Sequence, residues 1–346
     1  MDSQDIPLQL PMLLDSGIGT TNKAATLIPC KTDGKAFTVG SISSAGLDIE
    51  PYGDMSFSKL IDIYREQAAA LADSCDIISI ENMPELWNIR AAVFACKKSK
   101  KPVIVILKTD EDGETETGTC LLPALISLQE LGIVGFGISG GSPETCAELI
   151  GQISQYAHIP LVALPDAEYT DEQNTVTLSA EEYAKQCEKI LQNGAQIIGG
   201  GKGASNEYIS ALKSLLDGFD FDSVDIEKQD TSLVFATDNQ VFFLDPDTTE
   251  FSPVIECSPY MDDIITDTCD ESYDVLTVAV NSPDDAIDFA KHMHMATLPV
   301  AFLSDDDISL KMALMLYQGR AIADTKSLIE PEKLKKIADK YGAVLY

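Results

Sequence analysis

From residue 37 to residue 199 short apolar runs alternate with longer amphipathic stretches, and the apolar runs are nearly continuous instead of alternating with polar residues. A strand that is apolar on both sides must be covered on both sides, which is the condition of a parallel sheet wrapped by helices. Strands read at 37–42, 76–80, 103–107, 133–138 and 160–164, with one more ending at Ile197. Helices read between them at 56–72, 84–97, 121–131, 143–156 and 180–193. In the first helix Leu60, Ile63, Tyr64, Ala68 and Leu71 fall on one face at helical spacing. An earlier apolar run, 12–15, ends at Asp15, and the 76–80 strand ends at Glu81. The pattern predicts an α/β fold, a (β/α) TIM-type barrel with its site at the C-terminal ends of the strands.

The last of these strands runs into Gly199, Gly200, Gly201, Lys202 and Gly203. Glycines at a strand end let main-chain amides approach a ligand and permit positive φ, and Ser205 suits the cap of the next helix. The same residues also suit a tight strand-to-helix turn with no ligand.

Past residue 217 the pattern changes. Residues 218–272 read as an acidic linker holding a β-hairpin, 233–236 and 241–244, across Asp238 and Asn239. Residues 273–346 resume the alternation, with strands at 275–280, 299–303, 321–324 and 343–346, and form a second, smaller α/β domain. The first domain is expected over 1–217.

The formal charge of -32, from 56 acidic and 24 basic residues, argues against nucleic acid and anionic membrane surfaces as partners. No apolar run approaches the roughly 20 residues of a membrane span, and the acidic N-terminus lacks signal-peptide features, so a cytoplasmic location is expected. Eight cysteines are scattered without a CxxC pair, which reads as small core hydrophobes more than as disulfides or a metal cluster. Of these, Cys120 follows a strand-end loop and is the candidate source of a site thiolate. His158, His292 and His294 fall on or beside helices, away from the strand ends. Asp305, Asp306 and Asp307 read as a helix cap.

Taken together, these turns resemble the homocysteine S-methyltransferase family. Residues 14–20 (LDSGIGT) are similar to its LDGAMGT opening, 39–46 (VGSISSAG) to its AGSIGPTG, and 78–83 (ISIENM) to its IIxETM. The loop at 115–119 and the stretch 197–209 resemble two further family motifs, the second being IIGGCCGTxPEHI. The resemblance covers residues 12–212 in order and implies a zinc-dependent thiol methyltransferase acting on homocysteine or a related amino acid. Family zinc is held by three cysteines, and here those positions carry Ile138, Gly201 and Lys202. Neither isoleucine nor glycine can replace a thiolate, and an ammonium has no lone pair, so no metal ligand is expected here and no cofactor is assigned.

The resemblance also shows a gap. A βα unit is missing between the first motif and the 37–42 strand, leaving seven barrel-like strands; either the barrel is one βα unit short or another segment fills its place. The tail, from residue 298, resembles a fragment of the pterin-binding domain of methionine synthases. For the site, Lys202 is expected near Asp15 and Glu81, either lowering the pKa of a bound thiol in place of the metal or plugging a dead site. The amides of Gly17, Gly19 and Ser41, with Glu81, are expected to hold the ligand's charged groups, and Gly137 and Ile138 complete the candidate set. Three functions follow: a zinc-free thiol methyltransferase, a ligand-binding module without turnover, or a subunit docking on a corrinoid or methyltransferase partner.

Overall fold

The computed structural model describes residues 10–15, 25–30, 36–171 and 174–346. It divides into two compact units. The first gathers the described residues of Met1–Leu47, Ser58–Leu121 and Gly132–Gln229, and the second Asp48–Phe57, Leu122–Leu131 and Asp230–Tyr346.

In the first part of the chain the elements run β1 (Met12–Asp15), β2 (Ala25–Pro29), β3 (Phe37–Ile42), α1 (Phe57–Ala72), β4 (Ile77–Glu81), α2 (Leu86–Cys96), β5 (Val103–Lys108) and α3 (Leu121–Gln129). They continue with β6 (Gly135–Ser139), α4 (Pro143–Ser154), β7 (Leu161–Leu164), β8 (Glu168–Asp171), β9 (Asn174–Thr177), α5 (Ala180–Gln192), β10 (Ala195–Gly199) and α6 (Asn206–Gly218). Eight strands close into a barrel in the order β1-β10-β7-β6-β5-β4-β3-β2, which makes the fold the expected TIM-type α/β barrel.

The missing βα unit is replaced by β2, a strand that runs the wrong way. It pairs antiparallel with both β1 and β3, whereas the other neighbours in the ring are parallel. The reason lies in chain length. Only residues 16–24 separate β1 from β2, and a parallel crossover needs about a dozen or more residues, usually with a helix. A reversed strand needs only a turn, and it closes the ring while still delivering Leu27 to the interior. Leu27 is fully buried in a core shared with Met12, Leu14, Val39, Ile77, Ile104, Ile106, Val162, Leu164 and Ile197. Burying a leucine of this kind stabilises by about 1.5–3 kcal/mol.

Two helix starts near the barrel mouth are set by their caps. Ser142 accepts the Thr145 amide ahead of Pro143 at the first position of α4, and Ser179 with Glu182 forms a capping box at α5. The polar stretch after β7 folds as the β8–β9 hairpin.

The second unit adds β11 (Val234–Ala236), β12 (Val241–Phe243), β13 (Ile255–Glu256), α7 (Asp262–Cys269), β14 (Leu276–Ala279), α8 (Pro283–His292), β15 (Val300–Leu303), α9 (Asp307–Leu316), β16 (Ile322–Ala323), α10 (Pro331–Tyr341) and β17 (Val344–Leu345). Strands β13 to β17 form one parallel sheet in sequence order, and β13 comes from the stretch read as linker. One sheet face packs Val275, Ala301, Ile322 and Val344 against Phe235 of the β11–β12 hairpin. Buried Arg320 secures that hairpin by donating to the carbonyls of Thr231, Val234 and Gly342 at 2.6, 2.9 and 3.1 Å. No helix among the described residues is long and apolar enough to cross a membrane.

Candidate functional site at the barrel mouth

Side chains alternate along a strand, so the interior residues determine which strand-end groups face the lumen. Val39 lines the interior, which gives Ser41 the same direction, and Ser41 is in register with Ser79 of β4. Ile77 lines it too, which directs Ser79 and Glu81 to the mouth, where the Ser79 hydroxyl donates to Glu81 Oε1. Ile104 and Ile106 give the same direction to Lys108, whose register partner on β6 is Ser139. Ser41 and Glu81 therefore share the lumen-facing parity with Lys108 and Ser139.

Other candidates separate from this group. Asp15 follows interior Leu14 and alternates onto the side of Leu13. Ile138, 1% exposed, pairs with Leu107 and Ala163, whose neighbours Ile106, Val162 and Leu164 line the interior; alternation turns Ile138 to the helical shell. Gly137 lies on β6 where the Val162 carbonyl oxygen is 1.8 Å from the position a Cβ would take, so its glycine serves close strand approach. Gly17 and Gly19 lie outside the described residues.

Lys202 does not join Asp15 and Glu81. Its ammonium pairs with Glu168 Oε1 of β8 at 3.0 Å, with the two side chains 67% and 39% exposed. A pair so exposed contributes no more than about 1 kcal/mol. The glycine turn is likewise engaged within the protein. The Gly201 amide donates to the Pro165 carbonyl (2.8 Å), the Lys202 amide to Asp166 Oδ1 (2.6 Å), and the Lys202 carbonyl accepts from Ala167 and Glu168 (2.8 and 3.1 Å). A Cβ at Gly201 would meet Asp166 Oδ1 at 2.3 Å and the Leu164 and Pro165 carbonyl oxygens at 2.7 Å, while Gly203 has φ +81°, which glycine adopts without penalty. The turn thus locks β10 to the segment after β7, and the two amides at its apex are already committed.

These contacts identify two residues the sequence reading passed over. Asp166 follows the end of β7, the same strand-end signal that marked Asp15 and Glu81. Lys108 ends β5 on the lumen-facing parity. The two flank Gly140, whose Cβ position lies 3.9 Å from Lys108 Cγ and 4.0 Å from Asp166 Oδ2. Burial pushes the Asp166 carboxyl above the ordinary aspartate range, opposed by the Lys202 amide bond and by the charges of Lys108 and Lys202.

The surroundings hold this mouth in shape. The buried Tyr183 hydroxyl of α5 donates to the Pro165 and Gly199 carbonyls at 2.7 and 3.2 Å, joining the ends of β7 and β10. On the opposite side the Ala45 amide donates to the Tyr64 hydroxyl, which donates in turn to Asn88 Oδ1; Asn88 also reaches Glu85 at 2.9 Å. The loop after Glu81 is tied to the next one, with the Leu86 amide on Thr119 Oγ1 and the Thr115 hydroxyl on the Pro84 carbonyl. Asn82, directly after Glu81, has φ +53°, an unusual value for a residue other than glycine and one that asparagine tolerates better than most.

These residues do not make a zinc donor set. Tetrahedral zinc sites use thiolate, imidazole or carboxylate ligands, and the three family positions offer an outward isoleucine, a glycine with no room for a side chain, and an ion-paired lysine. Among the described residues no group of three His, Cys, Asp or Glu is placed to hold a metal. Cys120 Sγ lies 3.7 Å from Glu114 Oε1. Buried Cys146 donates to the Gly140 carbonyl at 3.1 Å, and burial pushes its thiol up to about 12. His292 pairs with Asp262, His294 meets the Tyr52 ring edge at 6.2 Å, and His158 precedes β7 at the far end of its strand.

The homocysteine S-methyltransferase family model matches residues 10–216. Similar crystal structures include the homocysteine methyltransferase MmuM from Escherichia coli in its metallated form, at 20% identity and TM-score 0.39 over 46% of this chain and 52% of that one. The oxidized form of the same enzyme gives 21% and 0.39 over 46% and 53%. The type I 3-dehydroquinate dehydratase from Clostridium difficile gives 14% and 0.33 over 52% and 68%. The chain spans about half the length of the homocysteine methyltransferase it matches. With the match running from the first barrel strand to the last barrel helix, over more than half of the sequence, the chain belongs to the homocysteine S-methyltransferase family.

Proposed function

We propose that this protein transfers a methyl group to the sulfur of homocysteine or a related amino-acid thiol, at the mouth of the barrel and without zinc. The observation that carries this reading is the family match over residues 10–216. A neutral thiol is a weak nucleophile, so the reaction needs the thiolate. Glu81 supplies a negative charge at the end of β4, as an amino acid's ammonium requires. The sulfur–carbon bond then forms as the donor's bond to the methyl group breaks, and a corrinoid or methyltransferase partner that delivers the methyl group belongs to the same proposal.

The test is a homocysteine methylation assay on purified protein, with metal content measured on the same sample. Turnover at metal contents far below one equivalent supports the reading; turnover that follows stoichiometric zinc overturns it. A second reading, a homologue that binds its ligand without turnover, is favoured by the glycine turn, whose apex amides are spent on Pro165 and Asp166. It expects calorimetric binding of homocysteine with no methylated product.

A further inference from the structure

Two side chains at the mouth, those of Lys108 and Asp166, border Gly140. Asp166 uses Oδ1 to accept the Lys202 amide, while Oδ2 is directed toward Gly140, on the side from which Lys108 approaches. Among the described residues Lys108 makes no ion pair. The space beside Gly140 cannot be filled from within, because position 140 has no side chain and its φ of +90° is glycine's own. The Asp166 carboxylate and the Lys108 side chain therefore border the same gap, at the C-terminal ends of β5, β6 and β7.

We propose that a substrate thiol enters this gap, that Asp166 Oδ2 accepts its proton, and that Lys108 holds the resulting thiolate. The inference rests on the methyl-transfer reading above. In the step, the sulfur–hydrogen bond breaks, the proton bonds to Asp166 Oδ2, and the electron pair stays on sulfur. No oxidant, reductant or second reactant is needed, and the proton returns to water after the substrate leaves. Before the step, Lys108 and Lys202 face Asp166 and Glu168; after it, Asp166 is neutral and the two ammonium groups are left to face the new thiolate and Glu168.

The environment of the base suits the role. Burial lifts the Asp166 carboxyl and so raises its proton affinity, opposed by the Lys202 amide and by the charges of Lys108 and Lys202. The other titratable groups packed against it are Glu168 of β8, Cys146 of α4 and Tyr183 of α5. Burial keeps the last two protonated, so neither competes for the proton. Asp166 thereby performs by proton transfer what a Lewis acid performs by coordination, and it does so from the volume into which a side chain at position 201 would project.

The experiment uses homocysteine as the probe, with the full chain as wild type, Asp166→Asn and Lys108→Met. The asparagine keeps an oxygen acceptor for the Lys202 amide while removing the base. Ultraviolet difference titration reads ionisation of the bound thiol, and methylation is measured across pH. Asp166→Asn is expected to lower methylation at neutral pH by roughly 10²–10⁴-fold, with the loss recovering as pH rises toward the free thiol value of about 8.5. Lys108→Met is expected to shift ionisation of the bound thiol to higher pH. Wild type that binds and methylates homocysteine, with both variants keeping its rate and pH profile, overturns the inference and leaves the methyl-transfer reading standing. Wild type that neither binds nor methylates homocysteine overturns both. Should Asp166→Asn fail to fold, the Lys108→Met titration decides alone, and an unshifted ionisation curve overturns the inference.

Discussion

Gly201→Ala should damage the barrel unit although it adds only one methyl group. The added Cβ would stand 2.3 Å from Asp166 Oδ1 and 2.7 Å from the carbonyl oxygens of Leu164 and Pro165. Two of these three atoms are backbone and cannot rotate away, and the third is held by the Lys202 amide at 2.6 Å. Overpacking of this kind costs about 1–3 kcal/mol. Displacing Asp166 also loses a hydrogen bond to a charged acceptor, about 1.5–3 kcal/mol. Alanine restricts the unfolded chain and returns about 0.4–1 kcal/mol. The expected loss is roughly 2–5 kcal/mol. The chain's single tryptophan, Trp87, lies on α2 in the first unit, so its fluorescence during urea unfolding reports the barrel. The midpoint should fall with the slope unchanged. A midpoint equal to wild type would refute the claim that position 201 has no space. The same geometry predicts that Ile138→Cys, Gly201→Cys and Lys202→Cys combined will not bind stoichiometric zinc, and metal analysis of that variant checks it.

Three further outcomes follow from other contacts. Leu27→Ala should destabilise the first unit by about 2–5 kcal/mol in the same urea assay, since a fully buried leucine leaves a cavity; a loss under 1 kcal/mol would argue that β2 is not part of the core. Tyr183→Phe removes the donor to the Pro165 and Gly199 carbonyls and should cost about 1–3 kcal/mol, with a fall in homocysteine affinity read by calorimetry; unchanged stability and affinity would remove its positioning role. Asp306 caps α9 through the Ser309 side chain and amide, which hold its carboxyl below the ordinary value of 3.8. A depressed carboxyl stabilises above its unfolded pKa and loses that contribution as pH falls through the folded one, so hydrogen exchange in the first turn of α9 should accelerate below about pH 4. Acceleration on raising the pH from 4 to 6 beyond the intrinsic chemical rate would contradict the sign.

Much of this fold was legible because parallel strands advertise themselves. Runs such as Val103 to Leu107 are apolar on both parities, and Glu81 stood out as a charge at the end of one. β2 was not legible. Ala25–Pro29 is a short strand within a stretch that reads as polar, and its antiparallel direction follows from the shortness of the 16–24 connection, a property of the ring and not of the residues. The partner of Lys202 was hidden for a similar reason. Glu168 lies in the β8–β9 hairpin, which has no apolar alternation to reveal it. Lys108 and Asp166 were readable in principle, one by counting parity from Ile104 and Ile106, the other by its place after β7. What linear order could not supply was Gly140 between them, bare of any side chain, which makes the two into a pair.

Under the proposed function, this barrel handles a thiol with its own side chains in place of a metal. The most direct measurement is homocysteine methylation by protein dialysed against a strong chelator, with zinc quantified in the same sample. Turnover is expected to persist, with metal far below one equivalent and no effect of added zinc. Activity that vanishes on chelation and returns with one equivalent of zinc would contradict it.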